Sequence, residues 1–223
     1  MSTIIYEPIL AASRISPRVI VAVSGGKDSA VTLDLCARFF REVRVFFMYM
    51  VPGLSFQEAT LRHYEQRYGI VIDRIPHPML SEWLRLGVFR KEDYDVPIIK
   101  MLDIYKHVRL KNDAWWIAAG ERIADSTIRR AMIKKSGSID AKRGRVYPVA
   151  HFRKADVERY VARQRLKVTP ESRVLGHSFR SLEPQEMALL KRHYPDDYRK
   201  ICEWFPFVEA AVFNFEREEA IWL

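Results

Sequence analysis

The densest chemistry in this chain lies in six residues between an apolar run and an amphipathic one: Ser24-Gly25-Gly26-Lys27-Asp28-Ser29. Two adjacent glycines let the main chain turn tightly and bring its N–H groups close to an anion. A helix that starts there adds N–H groups with no intrahelical acceptor and the positive end of its macrodipole. The hydroxyls of Ser24 and Ser29 are further donors, and Lys27 supplies a point charge. Asp28 would repel a bare phosphate. It suits the first turn of a helix, a magnesium ion bridging phosphates, or both. The spacing excludes the nucleoside-triphosphatase loop G-x-x-x-x-G-K-[ST].

Three arginines are the next candidates. Gly120 ends an apolar run, which puts Arg122 at the same edge as the glycine turn, and Arg129 and Arg130 follow about two helical turns later. Guanidinium groups clamp phosphate bidentately and stabilise charge growing on a leaving group. From Arg129 to Arg145 lie seven basic residues and one acid, Asp140, with Gly137 and Gly144 loosening the segment. It reads as a mobile basic loop near the site. Such a loop would close over a nucleotide or take a second anionic partner, including nucleic acid or a second protein.

These residues need a scaffold. Alternating apolar and amphipathic segments predict strands at 19–23, 44–50, 70–75, 114–119 and 146–149. Helices are predicted at 28–40, from Ser55, around 79–86 and 97–109, over 125–135 and over 153–165. Ser55 and Glu58 have the spacing of a capping box. The alternation implies an α/β domain over residues 1–166, with a mostly parallel five-stranded sheet covered by helices on both faces. Ligands in such folds bind at the carboxyl ends of the strands, where strand order reverses. Residues 167–223 read as a helical extension interrupted by Pro195 and Pro206.

With 223 residues and 48% hydrophobic content, the chain is expected to bury a sizeable core. Its formal net charge of +9 favours anionic partners. No window reaches the roughly 18 apolar residues of a membrane helix. The opening lacks a basic start and a long apolar core, and the expected compartment is a reducing cytoplasm. The two cysteines, Cys36 and Cys202, lie far apart, which argues against a disulfide scaffold, a CxxC pair or a four-cysteine site. Zinc and an iron–sulfur cluster are therefore not expected. His63, His77, His107, His151, His177 and His193 form no metal-spaced cluster, and His77 and His151 are expected to be structural. Trp204, Phe205, Phe207, Phe213, Phe215 and Trp222 are expected to pack on the domain and in part at a homodimer contact.

The hexapeptide resembles the PP-loop, S-G-G-x-D-S, of the N-type ATP pyrophosphatases, or adenine nucleotide α-hydrolases. Three later blocks, in order, resemble the PAPS reductase branch. They are "VPGLSFQEATLRHYEQRYGI" (51–70), "GERIADSTIRR" (120–130) and "YPVAHFRKADVERYV" (147–161), with Phe152 where that branch has tryptophan. The resemblance implies a Rossmann-like, HUP-type fold. It implies that Ser24, Gly25, Gly26, Lys27, Asp28 and Ser29 hold the phosphate end of ATP, PAPS or APS. Gly120, Arg122 and Arg130 would join them, and Met48 and Tyr49 would lie against the adenine. Lys27, Asp28, Arg122 and Arg129 would act in catalysis, with Asp28 reaching magnesium through the phosphates. One departure matters. The region that carries cysteines in sulfur-handling relatives reads "ESRVLGHSFRSLEP" (171–184), without a thiol, so reductase chemistry is not expected. ATP cleavage to AMP and pyrophosphate, PAPS or APS chemistry with an external thiol, and non-catalytic binding of nucleotide or nucleic acid remain as readings.

Overall fold

The structure is a computed structural model that describes residues 6–221. β1 (Arg18–Val23) is buried at Val19, Ile20, Val21 and Val23 because parallel strands flank it on both sides. On one side β2 (Glu42–Tyr49) pairs in the register Val21–Val45, and on the other β4 (Ile117–Ala118) pairs in the register Ile20–Ile117. Adding β3 (Ile72–Pro76), β5 (Ile139–Asp140) and β6 (Arg145–Val146) gives a mostly parallel six-stranded sheet in the order β3-β2-β1-β4-β6-β5. The chain builds outward from β1 in one direction and then resumes at β4 on its other side. The crevice at the carboxyl ends of β1 and β4 is thus the place where strand order reverses.

The sixth strand corrects the sequence reading. Part of the segment expected to be a mobile basic loop is a hairpin: β5 pairs antiparallel with β6, Ile139 opposite Val146 and Asp140 opposite Arg145. Asp140 Oδ1 accepts from the Arg143 N–H at 3.0 Å and closes the turn. Because β6 runs parallel to β4, this turn, with Lys142 and Arg143, lies at the edge opposite the glycine turn. Arg145 is buried in β6, its guanidinium carbon 4.5 Å from the Tyr105 ring centre.

Two compact units are present. The first combines the chain up to Phe47 with Thr60–Asp73 and Tyr105–Val168; the second combines Met48–Ala59, Arg74–Ile104 and the chain from Thr169 on. In the first, α2 (Lys27–Phe39) packs on β1, α1 (Glu7–Ile15) and α7 (Lys154–Gln164), and it is buried without a break from Ser29 to Cys36. Within that stretch sits Asp34. Its carboxylate accepts from Arg38 Nε at 2.6 Å, Tyr68 Oη at 2.6 Å and Tyr160 Oη at 2.7 Å. Tyr68 ends α3 (Ser55–Tyr68) and Tyr160 lies on α7, so one carboxylate fixes the helix that carries the glycine turn from two sides.

The second unit surrounds an apolar cluster including Leu54, Phe56, Leu190, Ile201, Phe205 and Val212. Four helices supply half of its buried residues: α4 (Pro78–Leu86), α9 (Pro184–His193), α10 (Pro195–Trp204) and α11 (Val208–Ile221). The breaks fall at Pro195 and Pro206, as the sequence indicates. The capping box does not form. Asp197 reaches the start of α3 instead, accepting from Ser55 N at 2.6 Å and Ser55 Oγ at 2.7 Å, while Glu58 pairs with Arg74. His77 caps α4, its Nδ1 accepting from the Met79 N–H. Phe205 is buried, Phe207 and Phe213 are exposed, and Trp222 lies outside the described residues. Among the described residues no helix is long and apolar enough to cross a membrane.

Burial works against the Asp34 charge, but the donors Arg38, Tyr68 and Tyr160 outweigh it and hold the carboxyl below its ordinary value. A lowered native value means that the stabilisation is fully present above the usual carboxylate range and is lost as pH falls through the lowered one. Asp34→Asn should lower stability by about 1–3 kcal/mol in urea unfolding near neutral pH, with the deficit shrinking at acid pH. A pH-independent deficit would show that the charge of Asp34 is not what holds the three helices.

Candidate functional site

The glycine turn forms as the sequence indicates. β1 ends at Val23, Gly25 takes a left-handed φ of +80°, and α2 begins at Lys27 with Gly26 as its extended N-cap. Ser29 is buried and fastens the turn: its hydroxyl donates to Gly26 O at 2.9 Å and accepts from the Ser24 N–H at 3.1 Å. The two hydroxyls stand 3.2 Å apart. In this structure both hydroxyls, the ligand donors that the sequence predicts, bind the turn to itself. What the turn can present is its first-turn N–H groups, at Lys27, Asp28 and Ser29, which precede the first intrahelical acceptors.

The other wall comes from the segment after β4. Gly120 sits so close to α2 that a Cβ there would stand 2.9 Å from Asp28 C and 3.0 Å from Ser29 N. Two residues on, Arg122 is 8% exposed. Its Nε lies 2.9 Å from Asp28 Oδ1 and its Nη2 lies 2.6 Å from Asp125 Oδ1. Asp125 Oδ2 also accepts from the Arg122 N–H at 2.9 Å, which fixes both ends of the residue. Arg122 Nη1 is buried with no hydrogen-bond partner among the described residues. A guanidinium so placed has strong donor capacity left over, held rigidly beside the turn.

Burial pushes the Asp28 carboxyl up from its ordinary value. Arg122, Lys27 and Arg129 oppose that shift, and Asp125 reinforces it. Since Oδ1 faces Arg122, only Oδ2 is left to reach a bound cation. Lys27 Nζ rests 3.3 Å from Glu158 Oε1 of α7, a half-exposed pair. Arg129 Nη1 lies 3.3 Å from Asp125 Oδ2, in the first turn of α6 (Thr127–Ser136), which Ser126 caps. Arg130 is exposed on the same turn. The structure therefore brings Lys27, Asp28, Gly120, Arg122 and Arg129 together. Met48 and Tyr49 end β2 and belong to the second unit.

Two contributors escaped the sequence reading. Asp125 stands at the start of the helix expected over 125–135, and its i+3 spacing from Arg122 is the signal of a pairing carboxylate. Glu158, 131 residues from Lys27, left no local trace. His151 meets Ser138 Oγ at 3.1 Å, and Phe152 fills a core position edge-on to Tyr160. A shallow cleft of about 390 Å³ beside His151, lined also by Glu7, Pro8 and Ile139, contains none of the turn residues.

A family model described as the phosphoadenosine phosphosulfate reductase domain matches residues 18–172. No curated protein matches the sequence. Among solved structures, phosphoadenylyl-sulfate (PAPS) reductase from Candida auris, a phosphate complex, is similar over 79% of this chain and 86% of its own, at 13% identity and a TM-score of 0.54. The U34-tRNA thiolase NcsA from Methanococcus maripaludis, described with its 4Fe-4S cluster, is similar over 86% of this chain and 72% of its own, at 16% identity and a TM-score of 0.47. The NH3-dependent NAD synthetase from Campylobacter jejuni, in complex with nitrate, is similar over 94% of this chain and 92% of its own, at 13% identity and a TM-score of 0.48. The thiolase overturns one expectation. A structural neighbour holds an iron–sulfur cluster, so the exclusion of such a cofactor drawn from two isolated cysteines is withdrawn.

The close approach of Gly120 gives a direct check. Gly120→Ala must push β4's exit away from the first turn of α2, at a cost of about 1–3 kcal/mol. A melting temperature several degrees lower is the expected readout, and an unchanged one would show that the turn and the Arg122 segment are not in tight contact.

Proposed function

The chain belongs to the phosphoadenosine phosphosulfate reductase domain family, among the adenine-nucleotide-binding PP-loop proteins, and on that premise we propose that it cleaves ATP between the α and β phosphates. The observation that carries this reading is Arg122: a buried guanidinium clamped by Asp28 and Asp125, with Nη1 unspent beside the glycine turn.

In this reading the first-turn N–H groups of α2 take the β and γ phosphates, and Lys27 leaves Glu158 for a phosphate oxygen. An acceptor oxygen or nitrogen, or water, attacks the α phosphorus, and its proton passes to solvent. The bond from the α phosphorus to the bridging oxygen breaks, and pyrophosphate departs with the electron pair. Arg122 and Arg129 face the charge that grows on it, where fixed cations act most strongly. Asp28 is a positioning residue, since it holds Arg122. No protein nucleophile is required. That agrees with the state of the two thiols, because burial pushes both Cys36 and Cys202 up and away from the reactive thiolate. The phosphate bound by the Candida auris reductase, a protein of the same fold, supports a phosphate-holding turn.

Incubation with ATP should release AMP and pyrophosphate. Arg122→Gln should slow turnover by about 100-fold or more, and Lys27→Ala should act mainly on KM. ADP and phosphate as products would sink the proposal. A chain that bound PAPS far more tightly than ATP and formed no pyrophosphate would instead point to PAPS chemistry with an external thiol.

A further inference from the structure

We propose that the outer face of α6 docks single-stranded nucleic acid and that this strand is the acceptor presented to the nucleotide site. The acceptor role rests on the reading of that site given above; the docking face does not. From Ser126 to Ile139 the chain carries Arg129, Arg130, Lys134 and Lys135 and no acidic residue. Only Ile133 of α6 is fully buried, against Tyr147 and Ala150, with Met132 beside it. At 100° per residue, the arc facing away from Ile133 holds Thr127, Ile128, Ala131, Lys134 and Lys135, with Arg130 at its margin beside Lys134, and all six are exposed.

Arg129 is paired with Asp125, but Arg130, Lys134 and Lys135 have no ion pair among the described residues. Arg130 and Lys134 stand one turn apart with the same sign, an arrangement that costs helix stability unless an anion lies between them. Thr127 and Ala131 keep the strip between the cations low, so a backbone can come close. Ile128, 82% exposed, offers an apolar contact of the kind an unstacked base accepts. Both ends of α6 lie at the ligand edge. The helix starts just after the Arg122 segment, and it ends where Ser138 O accepts from Tyr147 N beyond β6. The face thus extends from the phosphate turn along one rim, farther than a mononucleotide reaches, and the net charge of +9 suits a polyanion.

The test uses the full chain, a fluorescent mixed-sequence DNA strand of about 20 nucleotides, and anisotropy titrations over a range of salt. Lys134→Gln with Lys135→Gln should weaken strand binding about 10-fold and flatten the salt slope by about 1.4, while ATP affinity and melting temperature stay at the wild-type value. Lys142→Gln with Arg143→Gln, which removes the same charge at the opposite edge, should change strand binding far less. The proposal is overturned by wild-type binding in the α6 variant, or by equal losses in the two variants. Displacement of the strand by polyglutamate as readily as by unlabelled DNA would also overturn it, in favour of an acidic protein partner. Strand binding without ATP binding would remove the nucleotide reading and leave the docking face in place. ATP binding without strand binding would remove only the docking face.

Discussion

A single buried guanidinium organises the candidate site. Arg122 cannot be taken out of water alone, because an unpaired buried charge costs several kcal/mol. It is compensated by two carboxylates from different places, Asp28 in the first turn of α2 and Asp125 three residues downstream. That pairing forces the exits of β1 and β4 into one arrangement, and Gly120 is the residue that permits the distance. With the two exits fixed, the N–H groups of the turn, Lys27 and Arg129 all come to one crevice. The hydroxyls of Ser24 and Ser29, committed inward, make the turn rigid before any ligand arrives.

The same economy governs the helix behind the turn. α2 is buried on nearly every side, so its register must be set by something more directional than apolar contact. Asp34 does this through three donors from three helices. A turn mounted on a helix held in this way keeps its geometry, and preorganised donors are what the proposed site for developing charge needs.

Much of this was legible in the sequence where interactions are local. The turn is a contiguous hexapeptide at the end of a β-branched run, and both its place and the helix behind it can be read from residue types. Arg122 is legible because Gly120 marks a strand exit. What could not be read depends on long-range contact. The β5–β6 hairpin has strands of two residues, too short for any periodicity, and its basic composition imitates a solvated loop. Ser55 and Glu58 satisfy the local rule for a capping box, yet Asp197, far along the chain, offers a charged acceptor and wins. Glu158 opposite Lys27 is invisible for the same reason. Arg145 looks like one more cation of a basic run and is in fact stacked on Tyr105 in the core.

The make-up of the second unit has a consequence for dissecting the chain. The family match stops at residue 172, which looks like a natural place to trim. Yet the apolar cluster around Leu54 and Phe56 is completed by Leu190, Ile201, Phe205 and Val212, and the carboxylate that caps α3 comes from Asp197. A shortened chain ending at the family boundary would leave Leu54, Phe56 and Leu80 bare and the N–H groups of α3 without an acceptor, inviting self-association. The minimal unit that can be expressed and handled therefore extends to α11, well past the motifs that define the family.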